Sequence, residues 1–303
     1  MHLIIASGGN AGLGAACAAN VLNVRCTVYI TEGVSEEMHN FLKKERAEVV
    51  IAGKYYAQAL ERAEDAVERE ENAYVSAGCF KIMLTDKYYC RVMVPAYDNP
   101  IVWQGHASMI KEIVYQVPNK PDAIFCSVGG GGLLGGVLVG CKDVGWDDGE
   151  CQRTATTEIA FNGSTVPVVA METHGSNCFY HSVSVNAGQF NSVKVLPQDV
   201  ETWHDEGQNV SLARLKKLNS RATSLGASSP AAAVVKMALE REGGIKCVCV
   251  PDELTMQTSI SFAGAFRLFV SAIVDRVTRR GPQNAGRTGM FGDSSAGIQT
   301  GSV

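Results

Sequence analysis

Four consecutive glycines, Gly129–Gly132, directly follow the apolar run 122–128, which reads as a buried strand. Glycine loses more freedom on folding than any other residue, so four in a row are costly unless the backbone must come close to something. A strand that ends in such a loop and runs into a helix turns unpaired N–H groups toward an anion such as phosphate. A merely flexible turn would more often mix in Ser, Asn or Asp. A second junction of the same kind lies near the start. There Ser7-Gly8-Gly9-Asn10-Ala11-Gly12 separates the short apolar run Leu3-Ile4-Ile5-Ala6 from the helix-forming stretch LGAACAANVL. Asn10 adds a side-chain hydrogen-bonding group at that rim. Two anion-seeking strand ends in one chain suggest a ligand with two anionic ends.

The rest of the chain repeats strand and helix. Strands are predicted at 26–30, 48–52, 166–171 and 246–250, and helices near 36–46, 55–71, 104–116 and 230–241. Ser35 is the expected N-cap of the first of these helices. A loop is predicted from Met93 through Pro95 and Pro100. Strands alternating with helices at this spacing indicate βαβ units, so the expected fold class is α/β, with parallel sheets and helices on both faces. Three segments fit no element: 76–91, 149–165, and the tail from about 263, whose Gly/Ser-rich end predicts disorder.

Composition narrows the function. The net charge is −4 and no basic stripe is present, which argues against a nucleic-acid partner. No apolar run reaches the roughly 18 residues of a membrane helix, and the start has no basic segment of the signal-peptide kind. The 10 cysteines are scattered without a CxxC pair, which fits small core residues in a reducing cytoplasm better than a disulfide scaffold or a zinc site. Cys247 and Cys249 alternate in one predicted strand and so share a face.

One ligand with two anionic ends is a dinucleotide. Gly8, Gly12 and Gly14 fit G-x-x-x-G-x-G, and Glu32 lies where a ribose-binding acid could sit. This is similar to the short-chain dehydrogenase pattern. That family pairs a tyrosine with a lysine four positions later, and none of the 9 tyrosines here has one. An NAD(P)-dependent dehydrogenase is the weaker alternative.

The other candidate is a phosphorylated cofactor with an amino-acid substrate. The ordered segments SGGNAGLGAACAANVLNVRCTVYI, PAYDNPIVWQGHASMIKEI, PDAIFCSVGGGGLLGG and VPVVAMETHGS resemble the fold-type II pyridoxal-phosphate enzymes, the tryptophan synthase beta-like group. Within it they are most similar to the L-serine dehydratases (L-serine ammonia-lyases), with threonine dehydratases close by. The resemblance covers about residues 3–262. It implies two parallel-sheet domains, a small one over 1–100 and a large one over 101–262, followed by an atypical tail at 263–303. It implies pyridoxal 5′-phosphate as cofactor, with its phosphate on Gly129, Gly130, Gly131, Gly132 and the amide of Leu133. Asn10 would contact the pyridine 3-hydroxyl, and Ser7, Gly8, Gly9 and Ala11 would hold the substrate carboxylate. Ala6 stands where many relatives have another serine. Glu172 corresponds to an acid beside which some relatives bind a monovalent cation; read from its own surroundings, it is a solvated or paired carboxylate at a strand end. The implied reaction is β-elimination, giving pyruvate and ammonia from serine. The implied partner is a small amino acid, and the implied assembly a homodimer.

The sequence departs from the family pattern: no segment after Phe262 matches the family's Ser, Thr or Cys that bonds the pyridine nitrogen, and the larger departure concerns a lysine. The lysine to which relatives attach the cofactor lies upstream of the first glycine loop, and none of the six residues before Ser7 is lysine. Lys54, Lys111 and Lys236 sit in polar, helix-like contexts and read as surface charge. No catalytic residue can therefore be assigned. The expectation is a family member without its beginning, its large domain incomplete, with 76–91 and 149–165 resembling retained non-coding sequence. The class alternative is a non-catalytic remnant that binds phosphate or amino acid. His106 matches a family segment near the cofactor, though a place at a helix N-terminus is the plainer reading. His174 could line a pocket mouth. Leu225–Pro230 reads as a turn capping a helix, and Trp103, Trp146 and Trp203 read as packing residues.

Overall fold

The computed structural model describes residues 1–68, 73–74, 91–117, 119–147, 165–186 and 196–264. The unmatched segments 76–91 (save Arg91) and 149–165 (save Thr165), and the tail beyond Gly264, lie outside the described residues. One compact unit spans Met1–Leu254, and a second begins at Thr255 and is helical as far as residue 264.

The first half builds a five-stranded parallel sheet from β1 (His2–Ala6), β2 (Arg25–Ile30), β3 (Glu48–Ile51), β4 (Ala73–Tyr74) and β5 (Arg91–Met93), in the order β3-β2-β1-β5-β4. Central β1 is apolar because a parallel strand is covered on both faces. Ile5 enters a core with α1 (Asn10–Val21) and α2 (Glu36–Lys44). Ile4 and Ala6 point the other way, onto Ala59, Ala63 and Val67, spaced four apart on α3 (Tyr56–Glu68). Ser35 caps α2 as expected, its Oγ accepting the Met38 amide at 3.3 Å.

The second half carries a three-stranded parallel sheet, order β10-β7-β6, from β6 (Ile124–Ser127), β7 (Val168–Thr173) and β10 (Lys246–Val250). Around its larger core lie α4 (Pro100–Gln116), α5 (Gly132–Asp143), α6 (Cys178–Ser184) and α7 (Ala232–Glu240). An antiparallel hairpin, β8 (Val200–Asp205) and β9 (Val210–Leu215), packs Leu212 and Val210 on the same core. Helices α4 and α5 approach closely because Gly136 and Gly140 leave room. A Cβ on Gly140 would sit 2.7 Å from that of Ile110, and one on Gly136 would collide with His106.

Several boundaries differ from the sequence reading. α4 begins at Pro100, four residues earlier than predicted, because proline occupies the first helical position and Asn99 caps it through the Ile101 amide at 2.9 Å. The predicted loop at Met93 is the end of β5. The hairpin and α6 were not predicted. The turn Glu206–Asn209, with Asn209 left-handed at φ 55°, and the alternation of Val210 and Leu212 were the available signals for the hairpin.

Candidate functional site

At the end of β1, the Ser7 amide bonds the Tyr29 carbonyl at 3.0 Å and Ser7 Oγ accepts the Gly9 amide at 3.3 Å. The α1 ladder starts with Leu13 N–H donating to Gly9 O, so the amides of Asn10, Ala11 and Gly12 precede its first bond. The Asn10 side chain is exposed at this rim. Gly12 is demanded by packing, because a Cβ there would collide with the Ser7 carbonyl. Ala6 is 1% exposed inside the Ile4 cluster, so a hydroxyl there would face apolar side chains.

The tetraglycine loop is built in the same way and held more tightly. The Val128 amide bonds Met171 O at 2.9 Å, the chain turns through Gly131 at φ 94°, and the Gly135 amide opens the α5 ladder on Gly131 O. None of the amides from Gly129 to Leu133 has an acceptor among the described residues. The loop's carbonyls, by contrast, are engaged. Gly130 O accepts the Ala231 amide at 2.9 Å, and Gly129 O accepts the Cys178 thiol at 3.6 Å. Carbonyls tied back and amides left available suit the loop to an anion. Tyr97 covers one side, its ring where a Gly130 Cβ would fall and its backbone against Gly132. Its hydroxyl donates to Ser229 O at 3.3 Å, and its own carbonyl accepts Trp103 Nε1 at 2.7 Å. Leu225 covers the other side, its backbone about 3.1 Å from where a Gly129 Cβ would stand.

Glu172 requires a correction. β7 runs through it to Thr173, and the residue is 1% exposed, so it is a bonded carboxylate one residue short of the strand end and not a solvated one. Its oxygens accept the Phe179 amide at 3.1 Å and the Tyr180 amide at 2.6 Å, which caps α6 from a distance. Burial raises its pKa from 4.5 to about 8, against the lowering effect of those two amides. No trio of His, Cys, Asp or Glu able to hold a metal exists among the described residues. The raised value has a signed consequence. Below about 4.5 the acid is protonated folded and unfolded alike; between 4.5 and 8 only the unfolded chain ionises, so stability falls as pH rises through that window. Urea unfolding at pH 5 and pH 8.5 should show a loss on the order of 3 kcal/mol, and Glu172→Gln should remove most of it. An unchanged slope in the variant would assign the dependence elsewhere.

The other predicted residues divide. His106 is exposed in the middle of α4, not at its N-terminus, and its Cβ and carbonyl carbon lie where a Gly136 Cβ would fall. His174 lines a cavity of about 660 Å³ with Tyr180, His181, Asp199, Cys247 and Cys249; no residue of either glycine loop lines that cavity. Leu225–Pro230 does not cap α7, whose N-cap Ala231 receives no side-chain bond; it braces the tetraglycine loop instead. Trp103 and Trp146 are core residues, and Trp203 packs against the same core with the Arg214 guanidinium 4.9 Å from its ring centroid. Tyr97 was missed because a lone aromatic between two prolines carries no periodic signal. No lysine among the described residues is buried: Lys54 is exposed, Lys111 pairs with Asp143 at 3.0 Å, and half-buried Lys236 lies 3.9 Å from Glu240.

The family described as "Pyridoxal-phosphate dependent enzyme" matches residues 1–273. The chain belongs to this family. Its cofactor is pyridoxal 5′-phosphate, and the assignment displaces the dehydrogenase alternative. Gly14 of that alternative pattern meets nothing within 4 Å, and Glu32 is exposed. Among similar curated proteins is the human "Serine dehydratase-like", 35% identical over 62% of this chain and 46% of its own length. Another is the human "L-serine dehydratase/L-threonine deaminase", 35% identical over 59% and 44%. The chain thus spans a little under half of each. Among solved structures, a fungal L-serine ammonia-lyase from Rhizomucor miehei superposes with a TM-score of 0.61 at 24% identity, over 88% of this chain and 65% of that one, a likeness of fold. Among the described residues, no helix is long and apolar enough to cross a membrane.

Proposed function

We propose that this chain carries the cofactor and substrate loops of an L-serine or L-threonine dehydratase, which eliminates water from a hydroxy amino acid and yields, from serine, pyruvate and ammonia. The observation that carries this reading is the row of acceptor-free amides at Gly129–Leu133, with the loop carbonyls turned away into bonds. In this reading those amides hold the cofactor phosphate, Asn10 meets the pyridine 3-hydroxyl, and Ser7, Gly8, Gly9 and Ala11 bind the substrate carboxylate. The residues fit such a group: the loop offers donors in series, and packing on Tyr97 and Leu225 leaves no room for side chains that would cover them. When bound, the cofactor supplies an electron sink for the carbanion left by loss of the α-proton. The first-turn amides of α1 orient the substrate by its carboxylate. In this reading the two glycine loops belong to a small domain (1–100) and a large one (101–262) and serve one ligand between them. None of the seven described cysteines is in a disulfide, which supports a reducing compartment, the cytoplasm in this reading.

Proton removal and covalent attachment need a lysine amine, and no described lysine is buried enough to be tuned for either. The second reading is a remnant that binds phosphate or an amino acid without turning it over. Titration of the 303-residue chain should show pyridoxal 5′-phosphate binding at least about tenfold more tightly than pyridoxal, as expected for charge-assisted bonds to the phosphate. Borohydride should fix no adduct at a single defined lysine, and serine should give no pyruvate. Fusing the relatives' lysine-bearing segment ahead of residue 1 should restore both. A fused chain that binds the phosphate compound yet forms neither adduct nor pyruvate selects the remnant; equal affinity for both pyridoxal compounds overturns the phosphate reading.

A further inference from the structure

The brace against the tetraglycine loop is itself anchored at a distance. Residues 219–231 leave β9, pass the end of β7 and press Leu225 on Gly129 before the Ala231 amide reaches Gly130 O. Along this stretch Ser176 Oγ donates to Leu225 O at 2.6 Å. At its start stands a polar cluster. Ser220 Oγ donates to Asp252 Oδ1 at 2.7 Å, and the Arg221 amide donates to Asp252 Oδ2 at 2.7 Å. Because the single Ser220 hydroxyl hydrogen goes to the carboxylate, Thr173 must be the donor in its 2.7 Å contact with Ser220 Oγ. The Ala222 amide donates to the same oxygen at 3.0 Å. The cluster therefore ties the ends of β7 and β10 to the strap that carries Leu225.

We propose that Asp252 and Ser220 form a latch that fixes the strap 219–231 and thereby the shape of the tetraglycine loop, which makes them positioning residues for phosphate binding. The latch rests on the reading of Gly129–Leu133 as the phosphate site. Neither residue touches the loop: Asp252 acts through Ser220 and the Arg221 amide, and these act through Leu225 and Ala231. Both oxygens of Asp252 serve as acceptors. Asparagine at this position puts an NH2 donor where one of these two oxygens stands, so one of the two donors loses its acceptor.

The test compares Asp252→Asn, Ser220→Ala and Ser220→Thr with the parent chain. Asp252→Asn and Ser220→Ala should each weaken pyridoxal 5′-phosphate binding roughly tenfold, the scale of one hydrogen bond to a charged group, and leave pyridoxal binding unchanged. Ser220→Thr, which keeps the hydroxyl, should keep the affinity. Hydrogen exchange of the Ala231 amide in the cofactor-free chain should quicken in the two damaging variants, with the melting temperature nearly constant. Parent-like exchange at Ala231 overturns the latch, as does equal weakening of pyridoxal and its phosphate. If the parent chain itself shows no phosphate preference, the phosphate reading fails, and exchange at Ala231 still decides the latch.

Discussion

Replacing Arg241 by methionine should destabilise the chain by about 3–5 kcal/mol, the range for breaking a buried ion pair from one side. The Arg241 side chain is 3% exposed and that of its partner Asp147 is 16% exposed. The guanidinium donates through Nε to Asp147 Oδ1 at 3.0 Å, and through its other nitrogens to Gly244 O at 2.8 Å and Val166 O at 2.7 Å. One side chain thus joins the end of α7, the turn before β10, the entry to β7 and the residue that closes the turn after α5. Methionine fills much of the volume and supplies none of the donors, which leaves a carboxylate and two carbonyls short of partners in a site with little water. The double variant Arg241→Met with Asp147→Leu should recover a large part of the loss, because it removes the uncompensated charge. Urea midpoints for parent, single and double variants measure both effects. A single variant within about 1 kcal/mol of the parent would show that the pair carries no such weight.

Fold class was legible because its signals are local and repeated. Leu3–Ala6 is apolar throughout, as a strand covered on both faces must be, whereas β6 reads as fully buried but is the edge strand of its sheet and leaves Phe125 71% exposed; each strand nevertheless runs into glycines before a helix. Ser35 announced its own helix. Elements were missed where a residue's local signal differs from its tertiary role. Pro100 reads as loop but opens α4, and Glu172 reads as a polar strand end but is buried because two α6 amides meet it. The glycine loops of the candidate site could be read from their cost in backbone entropy. Tyr97, Cys178 and the strap from Ser220 to Ala231 could not, since each reaches Gly129–Gly132 from a different part of the chain and only the fold brings them together. For the same reason the glycines of the loop and of α5 divide by role. Gly136 and Gly140 serve the α4 contact, whereas Gly130 serves Tyr97, a distinction that composition alone does not make.

That distinction sets the largest functional prediction. Gly130→Ala should abolish measurable preference for pyridoxal 5′-phosphate over pyridoxal and cost about 1–3 kcal/mol of stability, the usual range for overpacking. The added methyl falls on the Tyr97 ring. That ring cannot swing aside freely, because its hydroxyl is bonded to Ser229 O and its backbone carbonyl holds Trp103. The loop must therefore move, and with it the amides that hold the phosphate. Gly9→Ala is the matched control. It alters the other glycine-rich strand end, where a Cβ meets nothing within 4 Å and φ is −135°. Its stability should stay within about 0.5 kcal/mol of the parent, as for substitutions that create no clash. Relieving the clash from the other side separates the two consequences of Gly130→Ala. Adding Tyr97→Ala makes room for the methyl and should restore part of the phosphate preference even though it removes aromatic packing. If Gly130→Ala bound the phosphate compound as the parent does, the phosphate would have to be held elsewhere, and the glycines at 129–132 would be there for helix packing alone.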